Sequence, residues 1–367
     1  MSDIGAGFSL KVRRVFIVVP SLIPAGPIKG AAALCNNLVK HLPVTLVILK
    51  PAIGNGIAIE SNVQLLHLGH FRRWKDKYDR YRDILHEAGG REYAVSISYG
   101  LSSDILNLFM RRYAIIISSV RGNLPKNYVY DYGWPGFPVA LIHLLLLRRF
   151  DRVVSMSYWM TQQLRRFGIL RLTAIANFLD ETHLEQFKIP FNKISDSIRF
   201  VFLASLSKRK RPELVINAIA NLRKQGIDCC LDIIGDGPLR SALTSLVVQK
   251  GLSPYVIFHG QLNHPYEILQ KSDGMILPSE SEGTPRAAME ALFFGIPCIL
   301  RDVDANRDLI NHGKNGMLFS RDEELTGVMA AMIKTLDQDK IGKKENLLPA
   351  TFRQDINVQK FLELIYQ

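Results

Sequence analysis

Two glutamates, Glu282 and Glu290, lie eight positions apart around a Gly-Thr-Pro sequence in the second half of the chain. Thr284 is suited to cap a helix, and Pro285 suits the first helical position, where its missing N–H costs nothing. The free N–H groups of that first turn and the helix dipole favour an anion, most naturally a phosphate. Because carboxylates accept hydrogen bonds from sugar hydroxyls, the pattern predicts a site for a nucleotide sugar.

A loop, a helix and a buried strand are the elements that must position these glutamates. Residues 287–294 suit a helix, Gly295 can end it in a left-handed turn, and residues 296–300 are typical of a core strand. Two glutamates with this spacing also occur on exposed helices. The alternative interpretation is therefore a helix-end charge and a solvated face.

This order of elements resembles the Glu-x7-Glu signature of the retaining glycosyltransferases of family 4. The resemblance implies the GT-B fold, in which two Rossmann-like domains face each other across a cleft. It also implies that Glu282 contacts the donor sugar and that Glu290 binds the ribose hydroxyls. Gly283, Thr284 and Pro285 then belong to the donor-binding helix start.

A basic loop follows the strand predicted at residues 198–203. By the resemblance, Lys210 occupies the position of a lysine that reaches the nucleotide diphosphate, whereas Ser205 replaces the usual arginine. Arg209 or Arg211 would then supply the missing cation, and we assign Lys210 and Arg209 to catalysis. The alternative is an exposed basic run, but the carboxyl end of a strand is where α/β folds place ligands.

Two further loops complete the predicted donor site. Family members usually have a glycine pair after the first strand, facing the diphosphate and the transferred sugar. Here Gly26 and Gly30 are separated by three residues, so Gly26 is the preferred contact, Gly30 the fallback and a plain turn the alternative. Gly260 and Gln261 lie on a loop whose backbone meets the base in the family.

The acceptor side is predicted in the first half of the chain. Many family members place a histidine near the reacting centre, and Arg121 is the nearest residue here. Arg121 could hold an anionic acceptor or a phosphate, or could only anchor its loop. Residues 127–138 are rich in Tyr, Trp, Gly and Pro and predict a long irregular loop for acceptor binding. Trp134 either stacks on a sugar or packs in a core.

The positive charge of the chain is concentrated in its first half. Residues 1–185 contain 23 Lys or Arg and 13 Asp or Glu, a net of +10, whereas residues 186–367 have a net of +2. Basic and aromatic residues alternate over residues 72–82, and six arginines lie between residues 148 and 171. Such a surface can hold anionic lipid headgroups. The alternative is a solvated helix face, and nucleic acid ranks lowest because no nucleic-acid motif accompanies the charge.

Composition predicts a globular protein of two domains. With 47% hydrophobic and 22% charged residues, the 367-residue chain is too long for one typical core. We predict an N-terminal domain at residues 1–187, a linker at 188–197 and a C-terminal domain at 198–351. A final helix within 352–367 is expected to pack back on the first domain. The four cysteines lack metal or redox spacing and are expected to be reduced core residues.

The chain is expected to be cytoplasmic, with peripheral contact to an anionic membrane through the first domain. Residues 1–10 lack the pattern of a signal peptide. The longest apolar run, residues 138–147, is far shorter than the roughly 20 residues that span a bilayer. No metal, cofactor or nucleic-acid partner is expected.

The sequence thus predicts an α/β protein with the GT-B fold, matched specifically over residues 150–320. The implied reaction is retaining transfer from a nucleoside diphosphate sugar, with a UDP-sugar favoured, to a hydroxyl of a glycan or lipid-linked acceptor in cell-surface polysaccharide synthesis. Asp304 and Ala305 replace a usual glycine pair and leave the sugar open. Two alternatives remain: a nucleotide-sugar 2-epimerase, which needs no acceptor, and a non-catalytic nucleotide-sugar-binding protein.

Overall fold

The computed structural model describes residues 13–23, 25–51, 57–190, 197–335 and 345–367. Some sequence predictions reach beyond these residues. Residues 1–10, which were predicted to lack a signal peptide, and residues 191–196 of the predicted linker lie outside the described part of the chain.

The first half of the chain forms a seven-stranded parallel sheet, ordered β3-β2-β1-β4-β5-β6-β7. Residues 15–19 of its first strand are a continuous apolar run, as expected for a strand in a sheet that helices cover on both faces. The strands are β1 (Arg14–Val19), β2 (Val44–Ile48), β3 (Gln64–His67), β4 (Ala94–Ser98), β5 (Ile115–Val120), β6 (Arg152–Ser155) and β7 (Leu172–Ala174).

Helices connect these strands and bury three apolar clusters against the sheet. The helices are α1 (Gly26–Leu38), α2 (Trp74–Glu87), α3 (Leu101–Met110), α4 (Leu124–Tyr132), α5 (Gly136–Leu147), α6 (Tyr158–Arg166) and α7 (Glu181–Glu185). A 3-10 turn at Gly90–Glu92 precedes β4.

The second half forms a six-stranded parallel sheet, ordered β10-β9-β8-β11-β12-β13, around one apolar core. The strands are β8 (Ile198–Leu203), β9 (Cys229–Ile234), β10 (Val256–Gly260), β11 (Gly274–Leu277), β12 (Cys298–Arg301) and β13 (Gly316–Phe319). The helices are α8 (Pro212–Lys224), α9 (Arg240–Gln249), α10 (Tyr266–Gln270), α11 (Arg286–Phe293), α12 (Asn306–Leu309), α13 (Glu324–Thr335) and α14 (Gln354–Tyr366), with 3-10 turns at Lys208–Lys210 and Ala350–Phe352.

The final helix, α14, returns to the first sheet. Phe361 on α14 meets Phe178 edge to face, with ring centroids 6.5 Å apart, inside the core that also contains α1. The backbone N–H of Glu181 donates to Gln354 at 2.7 Å, and the N–H of Gln354 donates to the Glu181 carboxylate at 2.7 Å. These reciprocal bonds attach the start of α14 to α7.

The predicted irregular loop at residues 127–138 is wrong, because α4 and α5 occupy most of it. The Asn123 side chain caps α4 by accepting the Lys126 N–H at 3.2 Å, and a proline occupies the first turn. A Cβ at Gly136 would lie 2.0 Å from the Tyr128 carbonyl oxygen, so α5 packs directly on α4. Only a short turn around Gly133 separates the two helices.

Candidate active site

Three second-half residues that the sequence singled out lie beyond the carboxyl ends of adjacent strands. Ser205 follows β8, Glu282 follows β11 and Asp304 follows β12. In the sheet, β8 lies between β9 and β11, where the strand order changes direction. Parallel α/β sheets bind ligands at such a switch point, outside the carboxyl ends of the strands.

A buried ion pair occupies this edge of the sheet. The Lys210 ammonium contacts Oε1 of Glu282, and Arg209 Nη1 lies 3.9 Å from Oε2 of the same carboxylate. Glu282 is 7% exposed. Three residues that the sequence assigned to catalysis are thus brought together by two loops about 70 positions apart in the chain.

Glu282 is ionised in this arrangement. Burial by itself raises the pKa of the Glu282 carboxyl, but Lys210 and then Arg209 outweigh burial and hold that pKa below its usual value. The site therefore holds a negative charge that is balanced by the cations of the basic loop.

Asp304 hydrogen-bonds the loop that carries Glu282 (residues 278–285, the Glu282 loop). The sequence did not reveal this role. Oδ2 of Asp304 accepts the Ser281 hydroxyl at 2.8 Å and the Glu282 N–H at 3.1 Å. Its Oδ1 lies 3.4 Å from the Lys126 ammonium of α4, in the first half of the chain. Asp304 has a φ of 47°, in the left-handed region that favours glycine. The sequence contained one sign of this role, because Asp304 occupies a position where the family usually has glycine. That replacement was related only to the identity of the sugar.

The basic loop divides its cations between two tasks. Arg211 donates to Glu280 at 2.7 Å, to Glu213 at 2.6 Å and to Asp322 at 2.8 Å. It is therefore committed to three carboxylates and does not replace the missing arginine. Arg209 instead donates to the Ser281 carbonyl oxygen at 2.7 Å, beside Glu282. Of the two predicted alternatives, Arg209 is the cation that faces the site.

Ser205 is exposed at the strand end, and its hydroxyl lies 3.4 Å from that of Ser207. A serine in this place brings a neutral hydroxyl to the position where the resemblance implies a guanidinium. The positive charges near Glu282 therefore belong to the 3-10 turn Lys208–Lys210. The residue that follows β8, Ser205, carries no charge.

The helix after Glu282 begins one residue later than predicted. Thr284 does not cap it: Pro285 is the N-cap, with extended backbone, and Arg286 is the first helical residue. The Thr284 hydroxyl is buried and has no hydrogen-bond partner among the described residues. The first-turn N–H groups of any helix have no acceptor within the helix, so the start of α11 remains suited to an anion.

Glu290 lies buried on α11, one turn beyond Arg286. Burial raises the pKa of the neighbouring Tyr266, and the Glu290 carboxylate raises it further. Arg286 donates to the Phe178 carbonyl oxygen at 3.0 Å, and its Nε is buried without a partner among the described residues. Gly295, at a φ of 77°, follows the end of the helix in the predicted left-handed conformation.

Gly283 allows the two halves of the chain to approach each other. A Cβ at this position would lie 2.5 Å from Cε of Met156 and 3.0 Å from the carbonyl oxygen of Arg121. Both contacts come from the first half of the chain, which forms the opposite wall of the cleft. A side chain at Gly283 would therefore push the walls apart.

The glycines that the sequence assigned to the other loops lie in different local structures. Gly26 is the first residue of α1, so it does not lie in a long loop, and nothing lies within 4 Å of a Cβ built on it. Gly30 lies within α1, where a Cβ would be 3.4 Å from Asn177 Oδ1 and 3.5 Å from Arg121 Nη1. Gly260 ends β10 with a φ of 68°, and Gln261 is exposed beside it.

The first half of the chain forms one wall of the cleft, the first wall, and the second half forms the second wall. Arg121 lies on the first wall, and its hydrogen-bond partners are neutral atoms. Its guanidinium donates to the Tyr99 hydroxyl at 2.8 Å and to Asn177 Oδ1 at 3.0 Å, and lies over the Tyr99 ring. Its Nε is buried without a partner among the described residues. Trp134, the other predicted acceptor residue, is 82% exposed, which excludes the core-packing alternative.

Helix α4 contacts the second half of the chain beside the Glu282 loop. The Tyr130 hydroxyl donates to Glu280 at 2.5 Å. Burial and this hydrogen bond raise the pKa of Tyr130 to about 12. With the contact between Lys126 and Asp304, this bond holds the two walls together on one side of the cleft.

Solved structures share this two-domain architecture over almost the whole chain. Anabaena Alr3699/HepE in complex with UDP-glucose has a TM-score of 0.75 at 16% identity, covering 96% of this chain and 99% of that one. Sucrose-phosphate synthase from Thermosynechococcus elongatus has a TM-score of 0.74 at 15% identity, covering 96% and 98%. The predicted α/β GT-B fold is confirmed.

Sequence comparison identifies the second half more closely. Residues 185–346 match the family described as "Glycosyl transferases group 1". N-acetyl-alpha-D-glucosaminyl L-malate synthase from Bacillus anthracis is 30% identical over 176 residues, 46% of this chain and 45% of that protein. An Escherichia coli UDP-Gal:alpha-D-GlcNAc-diphosphoundecaprenol alpha-1,3-galactosyltransferase is 26% identical over 185 residues, 47% and 46% respectively. The match spans about half the length of these curated relatives.

Proposed function

We propose that this chain is a retaining glycosyltransferase. It moves a sugar from a nucleoside diphosphate sugar, with a UDP-sugar favoured, to a hydroxyl group of a glycan or lipid-linked acceptor. The buried pair of Glu282 and Lys210 beside the start of α11 carries this proposal. A carboxylate suits the hydroxyls of a donor sugar, and an ammonium beside helix N–H groups suits its diphosphate.

Each donor group has a partner in this arrangement. Lys210, Arg209 and the N–H groups after Pro285 stabilise the charge that develops on the leaving diphosphate. Glu282 accepts hydrogen bonds from the transferred sugar, and Glu290 accepts them from the ribose. The complex of HepE with UDP-glucose, on the same fold, supports UDP as the nucleotide.

Donor binding would exchange partners within a site that is already charged. Without a donor, Lys210 neutralises Glu282, so neither buried charge is left unpaired. In the exchange, the diphosphate takes over Lys210, and the sugar hydroxyls take over Glu282. Closure of the cleft around the donor would exclude water and so limit hydrolysis of the donor during this exchange.

The acceptor is proposed to bind at the opposite wall, near Arg121. The guanidinium has only neutral hydrogen-bond partners among the described residues, so it can attract an anionic acceptor group. Relatives are named for O-antigen and colanic acid biosynthesis, and one for a diphosphoundecaprenol acceptor. These names support a role in cell-surface polysaccharide synthesis with a lipid-linked acceptor.

The domain bounds and location follow from this proposal. Residues 1–187 with the final helix form the acceptor domain, and residues 198–351 form the donor domain. None of the helices in the described part of the chain is long and apolar enough to cross a membrane. We place the protein in the cytoplasm, at the inner face of the membrane, where it meets a lipid-linked acceptor.

A nucleotide-sugar panel tests the proposal. UDP-Glc, UDP-Gal, UDP-GlcNAc, UDP-GalNAc and GDP-Man are screened for thermal stabilisation and slow hydrolysis, with Glu282→Ala and Lys210→Ala alongside. Lys208→Ala, on the exposed side of the same 3-10 turn, is the matched control. A donor present at 100 times its dissociation constant adds about 2.7 kcal/mol to the free energy of unfolding.

The expected result is stabilisation by one donor that both site variants lose and Lys208→Ala keeps. NMR of the sugar released by hydrolysis tests whether the configuration at the anomeric carbon is retained. No stabilisation by any of the five donors would overturn the assignment of the donor site. Stabilisation without turnover, even after acceptor lipids are supplied, would instead favour a non-catalytic nucleotide-sugar-binding protein.

A further inference from the structure

Helix α5 exposes apolar side chains on its outer face. Phe137, Ile142 and Leu145 are 50%, 57% and 55% exposed, whereas His143 on the inner face is buried. A surface helix normally turns its apolar stripe inward and its polar residues outward. A helix that is apolar all round is typical of a protein core or a membrane contact, and α5 lies at the surface.

Buried hydrogen bonds fix this orientation. His143 Nε2 lies 2.7 Å from Asp104 Oδ2, and His143 Nδ1 lies 2.9 Å from the Tyr128 hydroxyl. Both His143 and Asp104 are almost fully buried. A rotation of α5 that hid Ile142 would break this chain of bonds and leave buried polar groups unpaired, so the outer face stays exposed.

The apolar face continues into an exposed turn and a basic rim. Trp134 precedes α5 and is 82% exposed, as is Leu170 beyond α6. Arg148 donates to the Phe167 carbonyl oxygen at 2.9 Å, which joins the end of α5 to the segment after α6. We define the α5 surface as the exposed apolar and basic residues of this region: Trp134, Phe137, Ile142, Leu145, Leu170, Arg148, Arg149, Arg165, Arg166 and Arg171.

The charge of the rim selects the partner. Residues 134–171 contain six arginines and one acidic residue, Asp151. Asp151 pairs with Arg91 at 2.7 Å and is therefore not available to neutralise the rim. A symmetric contact with a second copy of the chain would bring two arginine rims together. An anionic lipid surface complements both the rim and the apolar face.

We propose that the α5 surface docks on an anionic phospholipid bilayer, with α5 in the interface plane. The apolar side chains enter the acyl boundary, and the arginines contact headgroup phosphates. Each arginine near such a surface contributes about fivefold to binding. Trp134 is then a lipid contact and not a sugar-stacking residue, since tryptophan favours the membrane interface.

This docking deepens the proposed function and rests on it for one step, the delivery of a lipid-linked acceptor. Helix α4 contacts the second wall of the cleft through Tyr130 and Lys126, and only a short turn separates it from α5. A bilayer against the α5 surface therefore lies beside the cleft. The headgroup of a lipid-linked acceptor could then enter the cleft while its lipid chain stays in the bilayer.

Vesicle sedimentation of the full chain tests the proposal. Vesicles contain phosphatidylcholine alone or phosphatidylcholine with phosphatidylglycerol. We expect binding only to the anionic vesicles, weakened by salt, and a loss of at least tenfold in the double variant Ile142→Glu with Leu145→Glu. Val248→Glu is the matched control, since Val248 is 64% exposed on α9 in the second half.

Tryptophan fluorescence provides a second measurement. The chain has three tryptophans, and Trp134 is expected to shift to the blue and to be quenched by brominated lipid. Trp134→Phe should remove this response, and Trp74→Phe should leave it. Absence of binding to anionic vesicles, or equal loss in Val248→Glu, would overturn the proposal. Self-association that is lost in the double variant, without vesicle binding, would assign the surface to a second copy instead.

Donor hydrolysis separates this proposal from the proposed function. The double variant should hydrolyse the donor as the parent chain does, because α5 is outside the site. Hydrolysis without vesicle binding would overturn the docking alone. Vesicle binding without stabilisation by any nucleotide sugar would support the docking proposal and overturn the proposed transferase function.

Discussion

The two walls of the cleft neutralise their charges in different ways. On the second wall, Lys210 faces Glu282, and Arg211 is surrounded by three carboxylates. On the first wall, Arg121 is held by a hydroxyl, an amide oxygen and the sulfur of Met156. Lys210 and Arg211 on the second wall are therefore paired with carboxylates, whereas Arg121 on the first wall hydrogen-bonds no carboxylate among the described residues.

This difference indicates how each wall meets a ligand. A ligand on the second wall must replace an existing ion pair, so it must carry both an anion and hydroxyl groups, as a nucleotide sugar does. A ligand on the first wall can add an anion without displacing one. The comparison also predicts that variants of the two walls differ in the size of their effects on stability and activity.

The largest expected effect belongs to Glu282→Gln. In the proposed function Glu282 contacts the transferred sugar, so loss of the carboxylate would weaken that contact, and it also leaves Lys210 without its partner. Transfer should fall by about 10³ in kcat/KM, on the order of 4 kcal/mol. The control is Glu363→Gln, an exposed glutamate on α14, the helix that packs on the first sheet. Equal activity in the two variants would refute the role of Glu282.

The second largest effect is on stability, in Lys210→Ala. Removing one partner of a buried ion pair leaves the other charge buried and costs about 3–5 kcal/mol. The double variant Lys210→Ala with Glu282→Gln should regain part of this loss, because no unpaired carboxylate remains. Chemical denaturation of the four proteins of this cycle gives the coupling energy. A coupling energy near zero would show that the two side chains do not interact in solution.

Much of the fold could be predicted because parallel strands buried on both faces are apolar runs. The structure forms β4, β8 and β9 at the residues where the sequence predicts them. Helix α4 was missed because Gly, Pro and aromatic residues at 127–138 suggest a loop. The packing of Gly136 against Tyr128 is a tertiary contact that local composition does not reveal.

The candidate site was predictable where it follows a local motif and not where it depends on distant partners. Glu282 and Glu290 were found from their spacing around one helix start. The commitment of Arg211 to Asp322, 111 positions away, cannot be inferred from the basic run itself. Asp304 was missed as a partner of the Glu282 loop for the same reason, since Ser281 belongs to another loop and Lys126 to α4.

Arg121→Gln tests the first wall. Because Arg121 has no carboxylate partner, its removal strands only neutral hydrogen-bonding groups, so we expect a stability loss of about 1–2 kcal/mol. This is smaller than the loss expected for Lys210→Ala. Transfer to an anionic acceptor should fall about tenfold, equivalent to about 1.4 kcal/mol, while donor hydrolysis changes little. Arg121→Lys should recover part of the transfer, because it restores the charge.

A stability loss in Arg121→Gln as large as that in Lys210→Ala would contradict the comparison. It would indicate that Arg121 pairs with a carboxylate in solution. A parallel fall in donor hydrolysis and transfer would instead assign Arg121 to the diphosphate of the donor.

The smallest effect is the pH dependence of the second wall. The pKa of Glu282 lies below its unfolded value of 4.5, so its contribution to stability is complete above pH 4.5. The contribution is lost as the pH falls through the folded-state pKa, because the carboxylate must then take up a proton. The difference in unfolding free energy between the parent chain and Glu282→Gln should therefore shrink steadily below pH 4.5. Urea denaturation between pH 3 and pH 7 measures this difference, and a constant difference would mean that Glu282 is not held ionised by Lys210.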